Sequence, residues 1–430
     1  MQIHVVQLGD TVDSIADSYG ISVEKLIQDN GLTNPDNLVT GESLVIAVPE
    51  ETYTVEEGDT LQDIADSHNV TVMQLFRNNP SLSDREFIYP GETLVIRYNN
   101  TKGQLTVHGN AFPFINSGIL KKTLPYLTYL SIVNYTATST GEIKSYYNDT
   151  EIITTAKDFG VMPLMLLSTF TIKGEANVGI AYDLLLNNEN QNRLIDNILI
   201  ILREKGYYGV NLSLQYISIS TLTFYEMYLQ NVYNRLNQEG YYVFATITPG
   251  ISIVNEEIII EQINYSVLNQ YSHNIIFMSY EWATNINAPS PISSINNINV
   301  FLDYASNLIP SDKVIIGIPT IGYDWQLPYV LGVSTVNAIT FNNVINLARN
   351  VGAIIQFDEV SQTPFFTYAI NAESNKIQHV VWFVDVRSIN ALLNLTLQYN
   401  LLGSGIWNIM EYNSQLWLVI NSQYEIINII

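Results

Sequence analysis

Three polar residues at alternate positions, Asn211, Ser213 and Gln215, stand in the run Gly206-Tyr207-Tyr208-Gly209-Val210-Asn211-Leu212-Ser213-Leu214-Gln215-Tyr216. Side chains alternate across a strand, so these three share one face while Val210, Leu212 and Leu214 take the other. A row of amide, hydroxyl and amide can exchange hydrogen bonds with a ligand. It has no acidic proton to give. Two acids, Glu281 and Asp324, follow the apolar runs 275–280 and 313–318, where either could face the same site. The five histidines (His4, His68, His108, His273, His379) are scattered without ligand spacing, so no metal is expected. There is no cysteine, which excludes thiol chemistry and disulfides, and nothing in the sequence implies a cofactor.

The elements that must position this row are legible as short apolar runs at 105–108, 127–135, 161–167, 208–215, 242–247, 275–280, 313–318 and 404–409. They are rich in β-branched and aromatic residues and alternate with helical patterns, the signature of repeated βα units. Eight such units predict an α/β fold in which residues 99–430 form a (β/α)8 TIM barrel, with its site at the C-terminal ends of the strands. An open doubly wound sheet is the alternative. The segment from about 324 to 385 is too long for a plain βα loop and is expected to form a small α+β insertion walling one side of a cleft.

The front of the chain repeats itself. Val6-Gln7-Leu8-Gly9-Asp10-Thr11 aligns with Val55-Glu56-Glu57-Gly58-Asp59-Thr60, and Ile15-Ala16-Asp17-Ser18 with Ile64-Ala65-Asp66-Ser67. Gly41-Glu42-Ser43-Leu44-Val45-Ile46 aligns with Gly91-Glu92-Thr93-Leu94-Val95-Ile96. Each unit reads as strand, Gly-Asp-Thr turn, two short helices and strand, with Asp and Thr as helix caps. The pattern resembles the LysM module, with a βααβ fold over residues 1–49 and again over 50–98. That resemblance implies binding of N-acetylglucosamine-containing glycans between two loops. In this chain the loops hold Gly9, Asp10 and Thr11 with Leu38, and Gly58, Asp59 and Thr60 with Ile88. The alternative is that Gly-Asp-Thr is only a turn and a cap. Asn99-Asn100-Thr101-Lys102-Gly103 reads as a short linker to the barrel.

Composition narrows the partners. Of the 430 residues 14% are charged, against roughly 25% in average proteins. The polar surface must then be largely neutral, which suits sugars and close protein packing. A net charge of −23 leaves no basic patch for nucleic acid. Residues 1–98 hold 17 acids against four bases, which fits an exposed acidic module. No apolar run reaches the ~18 residues of a membrane span. No secretory signal is visible at Met1-Gln2-Ile3-His4-Val5-Val6, so synthesis in the cytoplasm is expected.

The run that ends at Gln215 resembles the catalytic strand of family-18 glycoside hydrolases, Asp-Gly-x-x-x-Asp-x-Glu, with Tyr208, Ser213 and Gln215 at the three acidic places. Phe112-Pro113-Phe114-Ile115, Met278-Ser279-Tyr280-Glu281-Trp282, Gly322-Tyr323-Asp324-Trp325 and Val381-Trp382-Phe383-Val384-Asp385 resemble the spore-germination and cortex-lytic LysM plus family-18 proteins. The resemblance implies an N-acetylglucosaminidase scaffold acting on peptidoglycan. In that family the final glutamate protonates the leaving oxygen and the aspartate before it supports the substrate's N-acetyl group. Tyr280, with Glu281 beside it, approaches that group, and a late tryptophan matching Trp407 floors the central subsite. Asn211, Tyr280, Glu281, Trp282 and Trp407 are therefore the expected glycan contacts of the barrel, and Trp325 is a further aromatic near a strand end. Three readings follow: a peptidoglycan-binding pseudoglycosidase of the spore envelope, deposited at the coat or cortex surface; a self-assembling spore-layer protein, partnered by itself or other layer proteins; and a hydrolase working through a relocated acid.

Overall fold

The computed structural model describes residues 1–85, 87–99, 101–169, 178–214, 217–254, 257–278, 288–330, 333–334, 336–372 and 375–429. In the first repeat, strands Gln2–Val5 and Ser43–Ile46 pair antiparallel around helices Val12–Tyr19 and Val23–Asn30. Thr11 starts the first helix by accepting from Ser14 N, while the Ser14 hydroxyl accepts from Thr11 N in return. Val6, Val12, Ile15, Ala16, Leu26, Leu44 and Ile46 make its core. The second repeat builds the same unit from Glu51–Thr54, Leu61–Ser67, Val72–Asn78 and Thr93–Arg97.

Eight parallel strands follow: β1 (Gln104–Ala111), β2 (Tyr129–Ala137), β3 (Met162–Ser168), β4 (Gly209–Leu214), β5 (Tyr242–Ile247), β6 (Asn274–Phe277), β7 (Val314–Pro319) and β8 (Gly403–Trp407). Each lies on one of the eight expected runs. Because β1 pairs with both β2 and β8, the sheet closes into a TIM barrel. The strands are buried on both faces, as parallel sheets covered by helices must be, which is why they read as near-continuous apolar runs. Between β7 and β8 stands a five-stranded antiparallel sheet, in the order 336–340, 321–327, 375–382, 363–372, 356–358, covered by helix Phe341–Val351. No described helix is long and apolar enough to cross a membrane.

The reading of the first quarter as an exposed module on a linker is corrected here. Val39 of the first repeat is buried in the core of the inserted sheet with Val344, Ile345, Ala348, Ile355 and Phe366. Around it Ile355 N donates to Thr40 O (3.0 Å), Arg349 Nε to Asn37 O (2.8 Å) and Ser43 Oγ to Asp385 Oδ2 (2.8 Å). The second repeat is held by Tyr126 Oη donating to Arg77 O (2.6 Å) and Asn421 Nδ2 donating to Asn78 Oδ1 (2.7 Å). Even the supposed linker is tied down, through Lys102 N to Gln423 O (3.0 Å) and Glu425 N to Gly103 O (2.9 Å). Burial of apolar contacts that only the folded barrel supplies outweighs the polarity of the segment. Composition alone does not reveal that.

Candidate functional site

Strand alternation turns Asn211 and Ser213 of β4 into the barrel. Asn211 has no accessible surface. It donates through Nδ2 to Ser131 Oγ (3.0 Å) and accepts at Oδ1 from Thr246 Oγ1 (2.7 Å). Ser131 Oγ lies 2.8 Å from His108 Nε2, which completes a buried polar chain across four strands. Burial pushes the His108 imidazole down to about 3, so it is neutral at ordinary pH. Asn211 therefore braces the mouth from beneath. The expectation that it touches a glycan directly is corrected, because its amide is sealed and both its polar atoms are engaged.

Ser213 lies one layer higher, opposite Thr246 and partly open. Gln215, which continues the row in sequence, lies outside the described residues, as do Tyr280, Glu281 and Trp282. Tyr208 does not belong with the row. It precedes β4 at the entry end, with Lys157 Nζ 5.8 Å from its ring centroid. Five residues of strand put it about 16 Å from Ser213, with opposite side-chain parity. Placing it among the catalytic positions is corrected on both counts.

Asp324 is corrected as a mouth acid. It is 6% exposed inside the inserted sheet, where Tyr368 Oη donates to Oδ2 (2.7 Å) and His379 Nδ1 lies 3.0 Å from Oδ1. Its neighbour Trp325 is fully buried, a core aromatic. Glu261 is also committed, accepting Ile219 N at 3.0 Å. Asp149 is buried between the hydroxyls of Tyr135 and Tyr207 and the Lys205 ammonium (3.0 Å). No cluster that could hold a metal ion occurs among the described residues.

Trp407 closes β8, partly buried against the core. Its peptide to Asn408 is cis. Thr320, just after β7, fixes that peptide: Thr320 N donates to Trp407 O (3.1 Å), and Asn408 N donates to Thr320 Oγ1 (3.1 Å). Beside it opens a cleft of about 270 Å³ bounded by Thr320, Phe341, Asn342, Asn408, Met410 and Asn413.

An aromatic rim after β1 was missed in the sequence; Phe112 N donates to the sulfur of Met410 (3.3 Å), which borders the cleft. Phe112 and Phe114, after β1, stack with centroids 5.3 Å apart, and Phe114 meets Tyr147 at 5.0 Å. Phe114 and Tyr147 are 58% and 55% exposed. Buried Asn134 fixes the rim by accepting from Tyr146 N (3.2 Å) and Tyr147 N (3.0 Å) and donating to Tyr147 O (2.9 Å). Phe112-Pro113-Phe114 was the available signal, but no sequence spacing links it to Tyr147.

In the repeats, Gly9 and Gly58 are exposed at their turns, while the acids beside them are committed. Asp10 Oδ2 accepts Gln7 N (2.8 Å) and faces His4 Nε2 (3.0 Å). Asp59 Oδ2 accepts Glu56 N (2.7 Å) and Tyr53 Oη (2.9 Å). Thr60 Oγ1 caps Asp63 N at 3.1 Å, as Thr11 caps Ser14. Leu38 and Ile88 pack partly into their own modules.

Residues 116–411 match the profile of glycosyl hydrolases family 18, and residues 4–47 and 53–97 that of the LysM domain. The chain is 30% identical over 436 residues to the cortical fragment-lytic enzyme of Bacillus subtilis, covering 99% of each chain. It superposes on the crystal structure of the Bacillus megaterium spore cortex-lytic enzyme SleL with a TM-score of 0.79. There the sequence identity is 28%, covering 100% of this chain and 99% of the other. A Chromobacterium violaceum chitinase shares the fold, at TM-score 0.65 and 17% identity, covering 74% of this chain and 98% of the chitinase.

Proposed function

The chain belongs to the glycosyl hydrolases of family 18 and carries two LysM domains, and we propose that it binds peptidoglycan or a related N-acetylglucosamine glycan of the spore envelope without cleaving it. The observation that carries this is the neutral run Asn211-Leu212-Ser213-Leu214-Gln215 in the sequence, which on the motif resemblance puts a hydroxyl and an amide at the places of the family's aspartate and glutamate. Glycosidic cleavage needs a carboxylic acid to protonate the leaving oxygen. An amide cannot do so, and general acid catalysis alone is worth about 10²–10⁴-fold in rate. His108 is buried and neutral, and Asp324 serves the inserted sheet. Neither supplies the proton. The means of holding a sugar are better kept, in Trp407, the Phe114–Tyr147 rim and a mostly uncharged surface.

Retention on insoluble peptidoglycan tests binding, and reducing-end release from cortex fragments tests cleavage, for the native chain and for a Ser213→Asp, Gln215→Glu double variant. The reading expects retention of both proteins and release by the double variant alone. Release by the native chain would favour hydrolysis through another acid, a reading supported by the lytic activity named for its relatives. Absence of retention, with concentration-dependent assembly on sedimentation, would favour the layer-forming role that the sparse charge also suits.

A further inference from the structure

The two LysM modules repeat the same loop in different surroundings. Asn37-Leu38-Val39 and Phe87-Ile88-Tyr89 occupy equivalent positions before the closing strand. In the first module Val39 is 4% exposed and belongs to the core of the inserted sheet. The backbone on either side of it is bound by Arg349 Nε and Ile355 N. In the second module Phe87 and Tyr89 are 69% and 59% exposed, while Ile88 between them turns inward. Large exposed apolar side chains in a braced loop are informative, because folding alone would not select them.

The second loop is braced. Arg85 forks onto Glu92 through Nη1 to Oε1 (2.8 Å) and Nη2 to Oε2 (3.2 Å), and Tyr89 N donates to Glu92 Oε2 (3.4 Å). The turn of the same module at Glu57, Gly58 and Thr60 is open to solvent. Two rings with few rotatable bonds on a held backbone lose little entropy when a ligand arrives.

From this contrast we infer a division of labour between the two modules: the second carries their share of the glycan affinity through Phe87 and Tyr89, and the first is a strut that joins the chain's front to the inserted sheet. The ligand class is an uncharged run of N-acetylhexosamines. Residues 50–98 hold ten acids against three bases, so the contact is to the uncharged sugar faces of the polymer and not to its carboxylates. This assignment rests on the glycan-binding reading above and says which module does the binding.

The test titrates full-length protein with a soluble N-acetylglucosamine pentamer and measures retention on insoluble peptidoglycan. It compares the native chain, a Phe87→Ala, Tyr89→Ala variant, and a Leu8→Ala, Asn37→Ala variant at exposed positions of the first module. All the substituted side chains are solvent-facing, so unchanged melting temperatures certify folding. The inference expects at least a tenfold loss of affinity for the Phe87/Tyr89 variant and less than a twofold change for the other. Equal losses, a loss confined to the first module, or no loss in either variant overturns the assignment while leaving glycan binding intact. A native chain that binds neither probe overturns the binding reading and the assignment together.

Discussion

Gly41 and Gly91 form a matched pair, one in each repeat, and only one of them meets another domain. Their φ angles are +85° and +89°, so an L side chain is strained at either position. That strain, roughly 1–2 kcal/mol, is common to both. A Cβ on Gly91 would have no atom within 4 Å, whereas on Gly41 it would lie 2.0 Å from Ile355 O and 2.8 Å from Ile355 C. The contact is with backbone, so the two segments must separate. Overpacking of this kind costs about 1–3 kcal/mol. The Ile355 N to Thr40 O hydrogen bond, 3.0 Å long, is lost with it, worth about 1 kcal/mol. Gly41→Ala should therefore exceed Gly91→Ala by about 2–4 kcal/mol, or roughly 30- to 700-fold in an opening equilibrium at 1.4 kcal/mol per decade. Because a chain of several domains need not unfold in one step, hydrogen exchange read by mass spectrometry is the suitable assay. Peptides covering 37–42 and 353–357 should lose protection by that factor in Gly41→Ala and keep it in Gly91→Ala. Equal behaviour of the two variants, or unaltered protection in both, would refute the docked arrangement of the first module.

Two further outcomes are expected. His108 falls from an unfolded value of 6.5 to about 3 in the fold because burial excludes its proton. The stability this represents is complete above about pH 6.5 and is lost as pH falls toward 3, by up to about 5 kcal/mol. Urea midpoints of the native chain should decline across that window, and those of His108→Gln should decline less. Asp324→Asn weakens the contacts to His379 and Tyr368, at about 1–3 kcal/mol for the buried groups left short. Limited proteolysis should then begin in the inserted sheet with peptidoglycan retention unchanged; reduced retention would return Asp324 to the site.

How much of this was legible depended on the range of the interaction. The eight barrel strands announced themselves because both faces of each are buried, giving apolar runs that need no partner to be recognised. The repeats were visible for a related reason: caps such as Thr11 and Thr60, and core positions such as Ile15 and Ile64, are local requirements met twice. Parity along β4 already separated Tyr208 from Asn211 and Ser213, so that misplacement was avoidable. Asp324 and Val39 were different. Their partners, His379 and Tyr368 in one case and the Val344–Phe366 core in the other, come from elements distant in sequence. The Phe114–Tyr147 contact and the sealing of Asn211 by Ser131 and Thr246 likewise depend on barrel closure, which no window of residues contains.

The seat of Val39 bears on how such a protein should be dissected. Cutting away the first forty-odd residues would do more than subtract one module. It would strip the lid from an oily hollow floored by Val344, Ile345 and Ile355, and a newly wetted hollow of that kind invites clumping. A truncated chain that sticks to an insoluble polymer, or falls out of solution, would then be reporting its own wound. Point changes at the solvent-facing rings keep the lid in place and leave the question clean.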